Sequence, residues 1–167
     1  MPTLLIAFFI SMIGIALIPV LRKTLHPLEI LSCGLLVASL EQFSYAILTV
    51  NLRLLNVSDN PFEFIALKLE QIILAPLLIL FGLFVLFSKS GKPFLKAIAL
   101  AVTVVLLWGV QYLYHLSGTV QFVKWKWEYV WIRDVALLAI YIMFLALLRK
   151  FLRWQEVSDD PVSSDSL

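Results

Sequence analysis

The chain has 167 residues, 62% of them hydrophobic and only 14% charged, with a mean hydropathy of +0.97. Soluble domains carry about 25% charged residues, so this composition excludes an ordinary soluble protein. The formal charge of +2 is too small, and Lys and Arg too scattered between apolar runs, to make a nucleic-acid-binding face. A single cysteine, Cys33, excludes an intrachain disulfide, a dithiol redox pair and a cysteine-built zinc site.

The apolar residues come in runs near the ~20 residues that a helix needs to cross ~30 Å of hydrocarbon. Five spans are predicted. The first, residues 3–21, stops at Arg22 and Lys23 and has neither the basic leader nor the small-residue cleavage site of a signal peptide. The second, 28–50, follows a turn in which Pro27 suits a first helical turn. The third, 62–87, follows Ser58, Asp59 and Asn60 as cap candidates, with Pro61 at its start. Pro76 interrupts it and frees the carbonyl of Ile72, which predicts a kink. The fourth covers 94–116 and the fifth 129–148, ending at Arg149 and Lys150. This makes residues 1–154 a transmembrane domain, and 155–167 an acidic, Ser- and Pro-containing tail expected to be disordered. The expected fold is an all-α, five-helix integral membrane bundle.

Orientation follows from the basic residues. Arg22, Lys23, Lys89, Lys92, Lys96, Arg149, Lys150 and Arg153 fall on one side, against Arg53, Lys124 and Lys126 on the other. The positive-inside rule then places the N-terminus outside and the tail in the cytoplasm, most simply at the cell membrane. The aromatic segment from Trp125 to Trp131 alternates at period two, as a strand would. A lone strand has no partner in a bilayer, so these rings are read as an outer headgroup belt.

Polar residues within the spans converge on one leaflet. Glu41, Gln42 and Tyr45 lie in the second span; Glu70 and Gln71 in the third; Gln111 and His115 in the fourth; Arg133 and Asp134 in the fifth. All are candidates for binding a ligand or a proton. At 1.5 Å per residue, Glu41 lies ~14 Å below the outer end of its span, Glu70 ~12 Å, and Gln111 and Asp134 ~8 Å. An unpaired carboxylate at such depth is costly, so pairing, protonation or a watery cavity is required. Pairing of Glu41 or Glu70 with Arg133 is the expected arrangement, because a guanidinium fork matches a carboxylate. Lys68 shares a helix face with Gln71.

No catalytic motif is present: no G-x-S-x-G, H-E-x-x-H, phosphate loop or glycine-rich dinucleotide turn. His26 and His115 fall on opposite sides, and one histidine makes no metal site, so no catalytic residue, metal or cofactor is expected. Two functions remain in view besides a structural salt bridge. One is a pocket in the outer half of the bundle for a small ligand, ion or proton, in a sensor, accessory or transport-related subunit. The other is an assembly protein whose intramembrane charges meet a membrane partner or a second copy. A lipid-facing enzyme is a distant third.

Overall fold

A computed structural model describes residues 2–88 and 92–158. In it, α1 (Pro2–Ala16) continues after a break at Leu17 into a single turn, α2 (Ile18–Leu21). Helix α3 (Pro27–Ala46) runs into a wider π turn at Ile47–Asn51. Helix α4 (Pro61–Leu69) passes through a second π turn, Glu70–Leu74, into α5 (Ala75–Phe87). Helices α6 (Pro93–Leu116) and α7 (Trp127–Ser158) complete the bundle. Four helical segments are long and apolar enough to cross a membrane: Pro27–Asn51, Pro61–Phe87, Pro93–Leu116 and Trp127–Leu152. The chain is accordingly that of an integral membrane protein with a helical bundle, since only helices and closed barrels satisfy their backbone in lipid.

The helix starts are set locally. At α3, the His26 ring accepts from Leu28 N–H at 3.3 Å while the Glu29 carboxylate accepts from His26 N–H at 2.8 Å, a reciprocal cap with Pro27 in the first turn. At α4, of the three cap candidates it is Asn60 that accepts from Phe62 N–H, at 3.1 Å. The expected kink in the third span takes the form of the π turn. Pro76 has no N–H to offer and its ring crowds the carbonyl one turn back, so Ala75 N–H bonds to Glu70 O across a wider loop.

Two features depart from the sequence reading. Leu55–Val57 and Val120–Phe122 form a two-stranded antiparallel ribbon, pairing Leu55 with Phe122, Asn56 with Gln121 and Val57 with Val120. It joins the loops after α3 and α6 and closes that end of the bundle, so the architecture is helical with one short ribbon. From Trp127 onward the aromatic segment belongs to α7, two residues ahead of 129, where the fifth span was expected to begin. There Trp131 of α7 stacks on Trp108 of α6 at 5.4 Å, and Tyr112, also of α6, stacks on the same Trp108 at 5.3 Å, so the first of these contacts joins α6 to α7. Helix α7 also runs on to Ser158, past residue 148, where the fifth span was expected to end; the rest of the tail, 159–167, lies outside the described residues.

The core has two parts. One, at the ribbon end, contains Ala7, Tyr45, Leu48, Leu55, Ala66, Leu67, Tyr114 and Val120. The other fills the remaining length with residues such as Leu21, Cys33, Val37, Ile79, Leu83, Leu107, Tyr141 and Leu145. The segment through α4 and α5 is the most enclosed: 56% of its apolar window is buried, against 17–22% in the other three, so it stands at the centre.

Candidate functional site

Between the two apolar clusters lies a polar layer to which five helical segments contribute. On α3, Glu41 falls between Tyr45 of one cluster and Val37 of the other; on the central segment, Glu70 and Gln71 fall between Leu67 and Ala75. Gln111 of α6 lies between Tyr114 and Leu107, Asp134 of α7 between the buried Val130 and Leu138, and Ser11 of α1 between Ala7 and Leu21. All six are buried, at 1–7% exposure, so this is an interior layer and not a solvated face.

Arg133 organises it. Its Nη2 lies 2.8 Å and its Nε 3.0 Å from Asp134 Oδ1, and Nη2 lies 3.5 Å from Glu41 Oε2 across the α3–α7 interface. Gln111 Nε2 donates to both oxygens of Asp134 at 3.2 Å, which brings α6 into the same network. The guanidinium stands 5.1 Å from the centre of the Tyr45 ring, a cation–π distance. Asp134 thus receives four hydrogen bonds, whereas Glu41 has a charge contact without one: its Oε2 is buried with no hydrogen-bond partner among the described residues.

Glu70 belongs to the same layer electrostatically, facing Glu41, Arg133 and Asp134, but its Oε2 has no hydrogen-bond partner among the described residues. Lys68 does not serve it. The ammonium donates to Gln71 Oε1 at 3.0 Å, as the shared helix face implies, and lies 5.5 Å from the Phe64 ring centre. Gln71 Nε2 and Ser11 Oγ are likewise buried without partners among the described residues. Three carboxyl groups, Glu41, Glu70 and Asp134, therefore lie around one guanidinium, which is in contact with two of them.

Seven of the nine candidate residues are brought together: Glu41, Tyr45, Glu70, Gln71, Gln111, Arg133 and Asp134. Gln42 is half-buried, one position round from Glu41, and takes no part in these bonds. His115 is held elsewhere, its Nδ1 3.1 Å from Val120 O and its ring against Phe122 and Trp127, so it ties α6 to the ribbon. No group of three or more His, Cys, Asp or Glu placed to hold a metal ion occurs among the described residues.

Three features lie outside the nine candidates. Ser11 was hidden in an apolar run, although its spacing of four from Ala7 and three from Gly14 marks a row of small residues. Tyr141, fully buried with its hydroxyl unpartnered among the described residues, sits one turn beyond Leu138 and faces Glu41 and Arg133. The third is a second ion pair at the far end of α3 and α7. Arg149 Nε lies 2.8 Å from Glu29 Oε1, and Nη2 reaches Glu29 Oε2 and Thr24 O, each at 3.1 Å. Its guanidinium lies 4.3 Å from the Phe87 ring centre. Compared with known proteins, the chain matches no family profile, no curated protein and no solved structure.

Proposed function

We propose that the chain is a five-span protein of the cell membrane, N-terminus outside and C-terminus in the cytoplasm, whose polar layer binds a small ligand, ion or proton. It would serve as a sensor, an accessory subunit or part of a transport system. A fifth span is supported by α1: Ala7 packs with Ala66 and Leu67 while Gly14 meets Leu77, so α1 runs parallel to the central segment over the same depth. The orientation rests on the basic residues. Arg22, Lys23, Lys92, Lys96, Arg149 and Lys150 flank the end away from the ribbon, which the positive-inside rule makes cytoplasmic.

The observation that carries the functional reading is the excess of buried carboxyl over guanidinium in the layer. A pair that only fixed helix register would need one acid per base, because an uncompensated buried charge costs several kcal/mol. Glu41 and Glu70 each present an oxygen without a hydrogen-bond partner among the described residues, and such orphans mark a site served by something besides the protein. The inner core is apolar, which favours binding from the outer side over a through-path. The assembly alternative has fewer charges at its disposal, since Arg133 already meets Glu41 and Asp134 within the chain.

The test is a titration of the purified protein in nanodiscs, followed by tryptophan fluorescence, against pH and separately against sodium, potassium and ammonium. The wild type is expected to respond to at least one. The response should vanish in a Glu41→Gln/Glu70→Gln double variant that still elutes as a monodisperse species. A wild type indifferent to all of them overturns the reading. A stoichiometric partner co-purifying with the wild type and lost on Glu41→Gln supports the assembly alternative.

A further inference from the structure

Glu70, Gln71 and Ser11 each carry a polar side-chain atom that has no hydrogen-bond partner among the described residues, and none of the three is more than 3% exposed. The elements that bear them pack together, with α1 lying along α4, the π turn and α5. Because Ala7 lies in one apolar cluster with Ala66 and Leu67 while Gly14 lies against the Leu77 side chain, and α1 packs on the π turn between them, Ser11 falls opposite the turn that begins at Glu70. The three atoms differ in chemistry: an anionic acceptor, an amide donor and a hydroxyl able to act either way.

The groups facing Glu70 come from every side. They are Glu41 and Tyr45 of α3, Arg133 and Asp134 of α7, Tyr114 of α6, and Lys68 of its own helix. Three of the donors among them are engaged elsewhere. Arg133 holds Asp134 and Glu41, Lys68 holds Gln71 Oε1, and Tyr114 donates to Ala66 O at 2.9 Å. Among the described residues, Glu70 is the carboxyl of the layer that has no ion pair in contact, Glu41 and Asp134 both meeting Arg133.

We propose that Glu70 is the residue that takes up and releases the ligand of this site, that the ligand is a proton, and that Ser11 and Gln71 hold the water that delivers it. The proposal rests on the reading of the polar layer as a ligand site and names its occupant. In the step, an O–H bond of the neutral water held by Ser11 Oγ and Gln71 Nε2 breaks as an O–H bond forms at Glu70 Oε2, and that water regains a proton from a hydronium beyond it, so the held water is neutral before and after. A metal cation fits less well. Lys68 fixes Gln71 Oε1 as the acceptor end of that amide, so the unpartnered end is a donor, which suits a water oxygen and repels a cation.

The experiment is infrared difference spectroscopy of the full chain in nanodiscs over a pH series, with sodium varied separately at fixed pH. The wild type is expected to show one buried carboxyl C=O band growing as pH falls and indifferent to sodium. Glu70→Gln should remove that band, Glu70→Asp should move its frequency, and Glu29→Gln, at the ion pair with Arg149 outside the layer, should leave it present. Ser11→Ala should displace the midpoint, and Ser11→Thr, which keeps the hydroxyl, should restore it. A band that survives Glu70→Gln in folded protein overturns the assignment but leaves the ligand site standing. A band that sodium abolishes at fixed pH overturns the proton in favour of a metal cation. A wild type with no titrating buried carboxyl overturns the proposal, and if fluorescence also shows no cation response, the ligand-site reading falls with it.

Discussion

Arg149 Nε lies 2.8 Å from Glu29 Oε1, at the opposite end of the α3–α7 seam from the contact of Arg133 with Glu41. The two helices are antiparallel, so residues 29 and 41 of one face residues 149 and 133 of the other. Between the ion pairs the seam is filled by Cys33 and Val37 on one side and Leu138, Tyr141 and Leu145 on the other. The pair at Glu29 is saturated with hydrogen bonds, whereas the one at Glu41 is long and incomplete. That contrast separates a clamp from a site.

The clamp should therefore matter for stability and not for ligand response. Hydrogen bonds to charged groups contribute about 1.5–3 kcal/mol, and Arg149→Met should lower stability by about 2 kcal/mol on that scale. Glu29→Gln should cost somewhat more, because the same carboxylate also caps α3 at His26 N–H. Thermal unfolding in detergent measures both. The fluorescence response of either variant should match wild type below its unfolding midpoint, and a lost response in a folded variant would mean the two ends of the seam are coupled.

Within the site the three charged partners should rank in a definite order. Arg133→Gln leaves Glu41 and Asp134 without the guanidinium that contacts both, and breaking a buried pair in this way costs about 3–5 kcal/mol. Asp134→Asn should cost about 1–3 kcal/mol, because the new amide turns a donor toward Gln111 Nε2 or Arg133. Glu41→Gln should change stability by about 1 kcal/mol or less, since its contact with Arg133 includes no hydrogen bond. Equal losses for Glu41→Gln and Arg133→Gln, with the double variant no worse than either, would instead identify a structural pair.

Much of this was legible in the sequence, for a physical reason. Lipid forces each span to satisfy its own backbone, so the long helices announce themselves as apolar runs bounded by Pro27, Pro61 and Pro93, and the depth of Glu41, Glu70, Gln111 and Asp134 follows from helical rise. What was not legible depends on side-chain reach. Helical spacing turns Arg133 about 100° from Asp134, yet the long guanidinium stem curls back onto its neighbour. Glu29 and Arg149 are 120 positions apart, and nothing local links them. The ribbon strands Leu55–Val57 and Val120–Phe122 are three residues each, too short for any periodicity to register.

Helix packing next to the site makes a further prediction. A methyl group added at Gly82 would lie 2.5 Å from Thr103 Oγ1 and 3.2 Å from its Cβ, so α5 and α6 approach as closely as they do because position 82 has no side chain. Overpacking of this kind costs about 1–3 kcal/mol, and Gly82→Ala should lower the unfolding temperature accordingly. Adding Thr103→Ala removes the hydroxyl and methyl that clash and should restore part of the loss. A Gly82→Ala protein as stable as wild type would show that the two helices separate without penalty.

The topology decides which side of the membrane the polar layer lies nearer to. Pro2–Ala16 and Ile18–Leu21 together are about as long as a minimal span, and α1 runs beside the central segment in the same direction, so the termini should lie on opposite sides. A cytoplasm-specific reporter fused after Leu167 should be active, and the same reporter placed before Met1 inactive. If both fusions are active, α1 does not cross and the protein has four spans. If only the N-terminal fusion is active, the bundle is inverted and the ribbon faces the cytoplasm. The polar layer would then be nearer the cytoplasmic surface, since Asp134 is only seven residues into α7 from the ribbon end, and a proton reaching Glu70 would report cytoplasmic pH.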